Sequence, residues 1–147
     1  MNNSSIKQFI EAGNLTIGIE FGSTRIKTVA IDDNCKTLAT GTFGWENTYQ
    51  DGYWTYSMND AWIGLQKSYS EMTKVIKEQY GTTVKKIKSL GISGMMHGYL
   101  VFDQQEDLLV PFRTWRNNNA NQAAKILRES FQVNIPERWS IAQLYQS

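Results

Sequence analysis

Residues 15–31, LTIGIEFGSTRIKTVAI, constrain the fold of this chain more than any other stretch. Leu15, Ile17, Ile19 and Phe21 alternate with small or polar residues at the two-residue period of a half-buried strand. The alternation breaks at Gly22-Ser23-Thr24, and apolar character resumes at Ile26, Val29 and Ile31. Two such runs joined by a short Gly-containing break read as a β-hairpin with a small polar tip.

The tip has the chemistry to receive a phosphate. Gly22 lets a polyanion approach the backbone, Ser23 and Thr24 supply hydroxyl and N–H donors, and Arg25 and Lys27 supply positive charge. Glu20, at the strand end, places a carboxylate where it could orient Mg²⁺ through water. An ordinary solvated turn explains the same residues, since Gly-Ser turns serve mostly as turns.

Composition narrows the class. The 147 residues suffice for one domain with a real core, and 41% hydrophobic with 20% charged residues fit a soluble globular protein. A formal charge of +1 gives no electrostatic footprint for nucleic acid or an anionic membrane, so neither is expected as a partner. Cys35 is the single cysteine, which excludes an intrachain disulfide and a multi-cysteine zinc site. Without a membrane-length apolar run or a signal-like start, a cytoplasmic location is expected.

The remaining chain is read in order. Residues 1–14 form an N-terminal extension in which Ser5 to Gln8 has capping-box spacing for a short helix over Ile6 to Ala12, with a frayed tail as the alternative. Asp32 to Lys36 turns the chain into a third strand, about Thr37 to Trp45, completing a three-stranded antiparallel meander. Asn47 to Asn59 reads as a loop whose Tyr49, Tyr53, Trp54 and Tyr56 cover a core edge, or line a sugar site. From Asp60 to Tyr80 the apolar residues Trp62, Leu65, Tyr69, Met72, Val75, Ile76 and Tyr80 recur at helical spacing, with Asn59 as N-cap; this stripe is expected to be core.

Ile87 to Ser93 reads as a buried strand that crosses over to lie parallel to the first. It runs into Gly94-Met95-Met96-His97-Gly98, then a second hairpin of Tyr99 to Phe102 and Leu108 to Thr114 across the turn Asp103 to Asp107. His97 is the single histidine. A lone histidine in a turn is usually a structural hydrogen-bonder, yet the C-terminal end of a sheet strand is where ligands collect in α/β folds. Trp115 to Asn119 is expected to end this hairpin and cap a helix over Ala120 to Ser130. Within it Trp115 offers a stacking face and Asn117 a hydrogen-bonding amide. Asn134 to Arg138 breaks that helix before another starts at Trp139.

Three ordered motifs carry a resemblance: Gly18 to Lys27, then Gly91-Ile92-Ser93-Gly94-Met95-Met96-His97-Gly98, then Pro111 to Asn119. Together they resemble the N-terminal part of FGGY-family carbohydrate kinases, the middle one being similar to xylulokinase- and ribulokinase-type sequences. The resemblance implies an α/β, ribonuclease-H-like (actin-like ATPase) fold, of which residues 15–147 form a partial N-terminal domain with a mixed sheet. It implies ATP and Mg²⁺ as cofactors and a small sugar or polyol as substrate. Carried over residue by residue, it assigns Gly22, Ser23, Thr24, Arg25 and Lys27 to the ATP phosphates and Glu20 to the metal. The sugar contacts fall on Met96, His97, Trp115 and Asn117.

Two positions depart from the family pattern. Glu20 stands where the family usually has Asp, and Asn117 where it usually has an acid, so the choice of substrate does not transfer. The resemblance also places the catalytic base beyond Ser147, so the chain is expected to be part of a longer protein and inactive alone, because phosphoryl transfer needs groups on both sides of the nucleotide. An uncovered sheet edge is expected to favour a homo-oligomer. The competing readings are an actin-like ATPase or nucleotide-binding module without sugar kinase activity, and a sugar-binding domain without a nucleotide role.

Overall fold

A computed structural model describes residues 2–147. The chain divides into two units, residues 1–46 with 59–94, and residues 47–58 with 95–147. In the first, α1 (Asn3–Glu11) precedes strands β1 (Thr16–Phe21), β2 (Arg25–Ile31) and β3 (Thr37–Gly44). After β4 (Thr48–Gln50) and β5 (Tyr53–Thr55) of the second unit come α2 (Met58–Tyr80) and β6 (Ser89–Gly94). The four-stranded sheet has the order β3-β2-β1-β6, antiparallel through β1, β2 and β3 and parallel between β1 and β6. The opening hairpin, the meander and the parallel crossover all form as the sequence pattern predicts.

The core of this unit lies between one sheet face and α2. Ile17, Ile19, Ile26, Thr28 and Ala30 are buried on it, while Gly18 and Glu20, at the alternate positions of β1, are exposed. Helix α2 packs on that face with Met72 and Ile76 of the expected stripe fully buried, but its first half departs from that stripe. Its buried residues are Gly64, Ser68, Met72 and Ile76, four apart on one line, whereas Trp62 is 61% and Tyr69 37% exposed. Small residues win because the backbones meet. A Cβ on Gly41 of β3 would collide with the backbone at Ser68 and Met72, and one on Gly64 would strike Phe43 and Ile26. The buried hydroxyls of Thr28 and Ser68 satisfy each other at 2.9 Å.

Three further expectations are corrected. Helix α1 starts at Asn3 and is capped by Asn2, whose side chain accepts the Ser5 N–H, so Ser5 lies inside the helix; Ile6 and Ile10 are buried. Helix α2 begins before Asn59, which therefore sits in its first turn rather than capping it. Strand β6 is exposed at every residue, with Leu90 52% and Ile92 68% accessible. It is the edge strand of the described sheet, so an apolar sequence there does not imply burial.

The second unit holds β4, β5, α3 (Asn121–Phe131) and α4 (Ser140–Gln146). The segment expected as a loop forms the β4–β5 hairpin around Asp51 and Gly52, both at positive φ (50° and 86°). Asp-Gly is a strong hairpin-turn signal, and it stands in the sequence. The second expected hairpin is reduced to two isolated bridges, Tyr99 with Arg113 and Phe102 with Leu108. Its turn is held by the Asp103 carboxylate, which accepts the N–H groups of Gln105 and Asp107. The Asn117 to Asn119 run caps nothing: the residue before α3 is Ala120, and no side chain bonds there. Ala120, Ala124, Leu127, Ile135 and Ala142 form a small core between α3 and α4. Among the described residues no helix is long and apolar enough to cross a membrane.

Candidate functional site

The hairpin tip is tight. The Gly22 N–H donates to the Arg25 carbonyl at 3.0 Å, closing the turn over Ser23 and Thr24. Trp45, just past β3, clamps it from the side. Its indole N–H donates to the Gly22 carbonyl at 2.7 Å, its backbone N–H donates to the Thr24 carbonyl at 3.2 Å, and its ring lies 6.4 Å from that of Phe21. The sequence reading places Trp45 at the end of the third strand and gives it no part in the tip; a buried tryptophan must place its N–H somewhere, and the tip carbonyl is the acceptor.

Ser23, Thr24 and Arg25 are exposed around this clamped backbone. A Cβ on Gly22 would come 3.0 Å from the Arg25 carbonyl oxygen and 3.8 Å from a Glu20 carboxylate oxygen, so the glycine keeps the turn open beside that acid. Glu20 faces Lys27 across the β1–β2 ladder, yet the two form no ion pair. Both line a recess of about 440 Å³ on the open sheet face, floored by Gly18 and Gly91, which are register partners. Neither glycine has an atom within 4 Å of where a Cβ would stand.

Among the described residues no group of three or more His, Cys, Asp or Glu could enclose a metal ion. A single exposed carboxylate does fit Mg²⁺, which typically takes one or two carboxylates and completes its shell with water and phosphate oxygens. Glu20 is the residue that would hold it.

In the second unit one backbone pairing sets the register of His97 and Trp115, two of the residues assigned to sugar. Tyr99 and Arg113 exchange both N–H···O bonds, at 2.9 and 3.1 Å. His97 lies two residues before this pair on one strand and Trp115 two residues after it on the other. Gly98 permits the approach, since a Cβ there would stand 3.0 Å from the Phe112 ring. His97 is at φ 64°, half-buried, and stacks on Trp139 with centroids 6.5 Å apart and planes within 15°. Met96 is 75% and Trp115 47% exposed.

Asn117 behaves differently from its neighbours. It is buried, its Oδ1 accepts the Trp54 N–H at 2.8 Å, and its Nδ2 donates to the carbonyls of Trp54 at 2.7 Å and Thr114 at 3.0 Å. In this structure the amide is spent on backbone, holding β5 against the loop that carries Trp115. Arg116 stacks over the Trp54 ring at 3.7 Å and its Nη1 donates to Asn47 Oδ1 at 3.0 Å. Arg113 is buried between the rings of Tyr53 and Tyr99, and its Nη1 donates to Gln143 and Ser147. Sequence reasoning passes over Arg113, Arg116 and the anchoring role of Trp54, because each depends on the missed β4–β5 hairpin.

Residues 15–143 match the FGGY family of carbohydrate kinases, N-terminal domain. Xylulose kinase of Escherichia coli (strain K12) is 23% identical over 111 residues, covering 76% of this chain and 22% of that protein. Among solved structures, a xyloylose kinase from Brucella ovis superposes with a TM-score of 0.75 at 15% identity, covering 89% of this chain and 28% of that one. Glycerol kinase of Plasmodium falciparum with ADP gives 0.75 at 16% identity over the same shares, 89% and 28%. The fold is thus the actin-like, ribonuclease-H-like α/β fold. The chain spans about a quarter of the length of the curated relatives it matches.

Proposed function

Because the chain belongs to the FGGY family of carbohydrate kinases, as their N-terminal domain, we propose that it forms the first part of an enzyme that transfers the γ-phosphoryl group of ATP to a hydroxyl of a small sugar or polyol. The single observation that carries this reading is the clamped tip from Gly22 to Arg25. A backbone held by Trp45, with exposed hydroxyl, N–H and guanidinium donors around a glycine, is preorganised for phosphate oxygens.

In this reading Ser23, Thr24 and Arg25 grip the phosphates, and Lys27 lends charge from the neighbouring strand position. Glu20 carries Mg²⁺, which when bound would neutralise the phosphate oxygens. The turn Met96–His97 and Trp115 receive the acceptor, Trp115 by stacking and His97 by hydrogen bonding, its ring fixed against Trp139. Asn117 acts one step back, by holding the loop on which Trp115 stands. The base that takes the hydroxyl proton comes from a later segment of the longer protein, which is why the isolated chain is proposed to be inactive. The exposed Cys35 suits a reducing cytoplasm.

A nucleotide-binding module without sugar turnover is the second reading, favoured by the amide of Asn117 being spent on backbone where the family usually has an acid. ADP release by the longer protein carrying this domain separates the two, measured across neutral sugars, polyols and sugar acids. Release that depends on an added sugar supports the kinase. Release without sugar supports the module, and the absence of release with every acceptor rejects the kinase.

A further inference from the structure

Among the described residues the cations beside Trp115 have no carboxylate partners. The ion pairs Lys7–Glu11, Lys74–Glu78 and Lys88–Asp33 all lie in the first unit. Among the described residues no carboxylate stands within ion-pair distance of Arg113 or Arg116. In Pro111 to Asn119 there are two arginines and no acid, and the position where the family usually carries an acid is the neutral Asn117. The acidic residues Asp103, Glu106 and Asp107 are instead collected in the turn at the other end of the Tyr99–Arg113 pairing.

Arg116 is also the better placed of the two for a ligand. It is exposed, adjacent to the exposed Trp115, and its guanidinium is held flat on the Trp54 ring by stacking and by the bond from Nη1 to Asn47. Its Nε and Nη2 make no hydrogen bond to described residues. A guanidinium fixed by stacking, with a free donor edge and no paired acid, recognises a carboxylate bidentately, and loses little side-chain entropy in doing so. Arg113 cannot make that contact directly, since it is buried, but its uncompensated charge adds to the same positive field.

We infer that the acceptor taken by this site is an anionic sugar, a sugar acid whose carboxylate pairs with Arg116 while Trp115 stacks on its carbon chain. This rests on the reading of Met96–His97 and Trp115 as the acceptor end of a carbohydrate kinase. It makes Arg116 the residue that decides the substrate class, a role not assigned by the Trp115 and Asn117 pattern.

The test is a titration of the ¹⁵N-labelled chain, read at the indole N–H resonances of Trp54 and Trp115, with D-gluconate and with D-glucitol. The two probes share six carbons and differ in one carboxylate. The expected result is that gluconate shifts both resonances and binds at least tenfold more tightly than glucitol. Arg116→Gln, with spectral dispersion confirming the fold, should abolish that preference, and Arg116→Lys should keep part of it. Equal or tighter binding of glucitol overturns the inference while leaving the kinase reading in place. Gluconate binding that survives Arg116→Gln unchanged overturns it, as does the absence of any shift with either probe. The kinase reading fails separately, if the longer protein releases no ADP in response to any sugar.

Discussion

The side-chain amide of Asn117 pairs with both backbone groups of Trp54, accepting its N–H at 2.8 Å and donating to its carbonyl at 2.7 Å. One residue thereby replaces a stretch of strand partner and fixes β5 to the loop bearing Trp115 and Arg116. Asn117→Ala should destabilise the second unit by roughly 1–3 kcal/mol, the cost of leaving backbone groups without partners. Asn117→Asp should cost at least as much at neutral pH, because a carboxylate then faces the Trp54 and Thr114 carbonyls. Urea unfolding followed by tryptophan fluorescence measures both.

The close approach of α2 to β3 gives a sharp contrast between glycines. Gly41→Ala should destabilise by roughly 2 kcal/mol or more, since its Cβ would meet backbone at Ser68 and Met72, which cannot swing aside. Gly18→Ala and Gly91→Ala meet open space and should stay within about 0.5 kcal/mol of the parent. Thermal denaturation of the three variants distinguishes a tight seam from a generic glycine effect.

Trp45→Phe keeps the ring against Phe21 but removes the indole N–H from the Gly22 carbonyl. A loss of about 1 kcal/mol is expected. Hydrogen exchange should speed up first at the amides from Gly22 to Arg25, before the rest of the β1–β2 ladder loosens. Uniform acceleration across the sheet would mean that Trp45 stabilises the unit without ordering the tip.

Strand β6 leaves an uncharged, exposed edge in the sequence Ser-Leu-Gly-Ile-Ser-Gly. Such an edge pairs with another chain unless charge or cover prevents it. Sedimentation should show concentration-dependent association of the chain, and Ile92→Lys should shift it towards monomer. A monomer at high concentration in both proteins contradicts the expectation.

Legibility of the fold and site in the sequence followed physical range. The β1–β2 hairpin, β3 and the β6 crossover were readable because strand alternation and turn residues are local signals. On α2 the buried Met72 and Ile76 were readable, but the first half of the buried line was not, because apolarity pointed to Trp62 and Tyr69 while the packing selected Gly64 and Ser68 for the sake of Gly41 on a strand far away in sequence. The exposure of β6 is hidden from the sequence for the reverse reason: its composition is apolar, but its exposure depends on what lies beyond the edge. At the site, Glu20, Gly22 and His97 could be picked out by residue type, whereas Trp45, Arg113 and Arg116 could not, as their roles come from partners tens of residues away. Asp51-Gly52 is the exception, a local hairpin signal in a segment whose aromatic density reads as a loop.

The proposal that the tip and its acid form the phosphate end of a sugar kinase is tested most directly by Glu20→Gln in the longer protein carrying this domain, with sugar-dependent ADP release as the readout. The variant should fold normally, since Glu20 is exposed and forms no ion pair with any described residue. Its turnover should fall by about 10²-fold or more, the usual scale for removing a group that organises charge in the transition state. Undiminished sugar-dependent turnover would contradict the account.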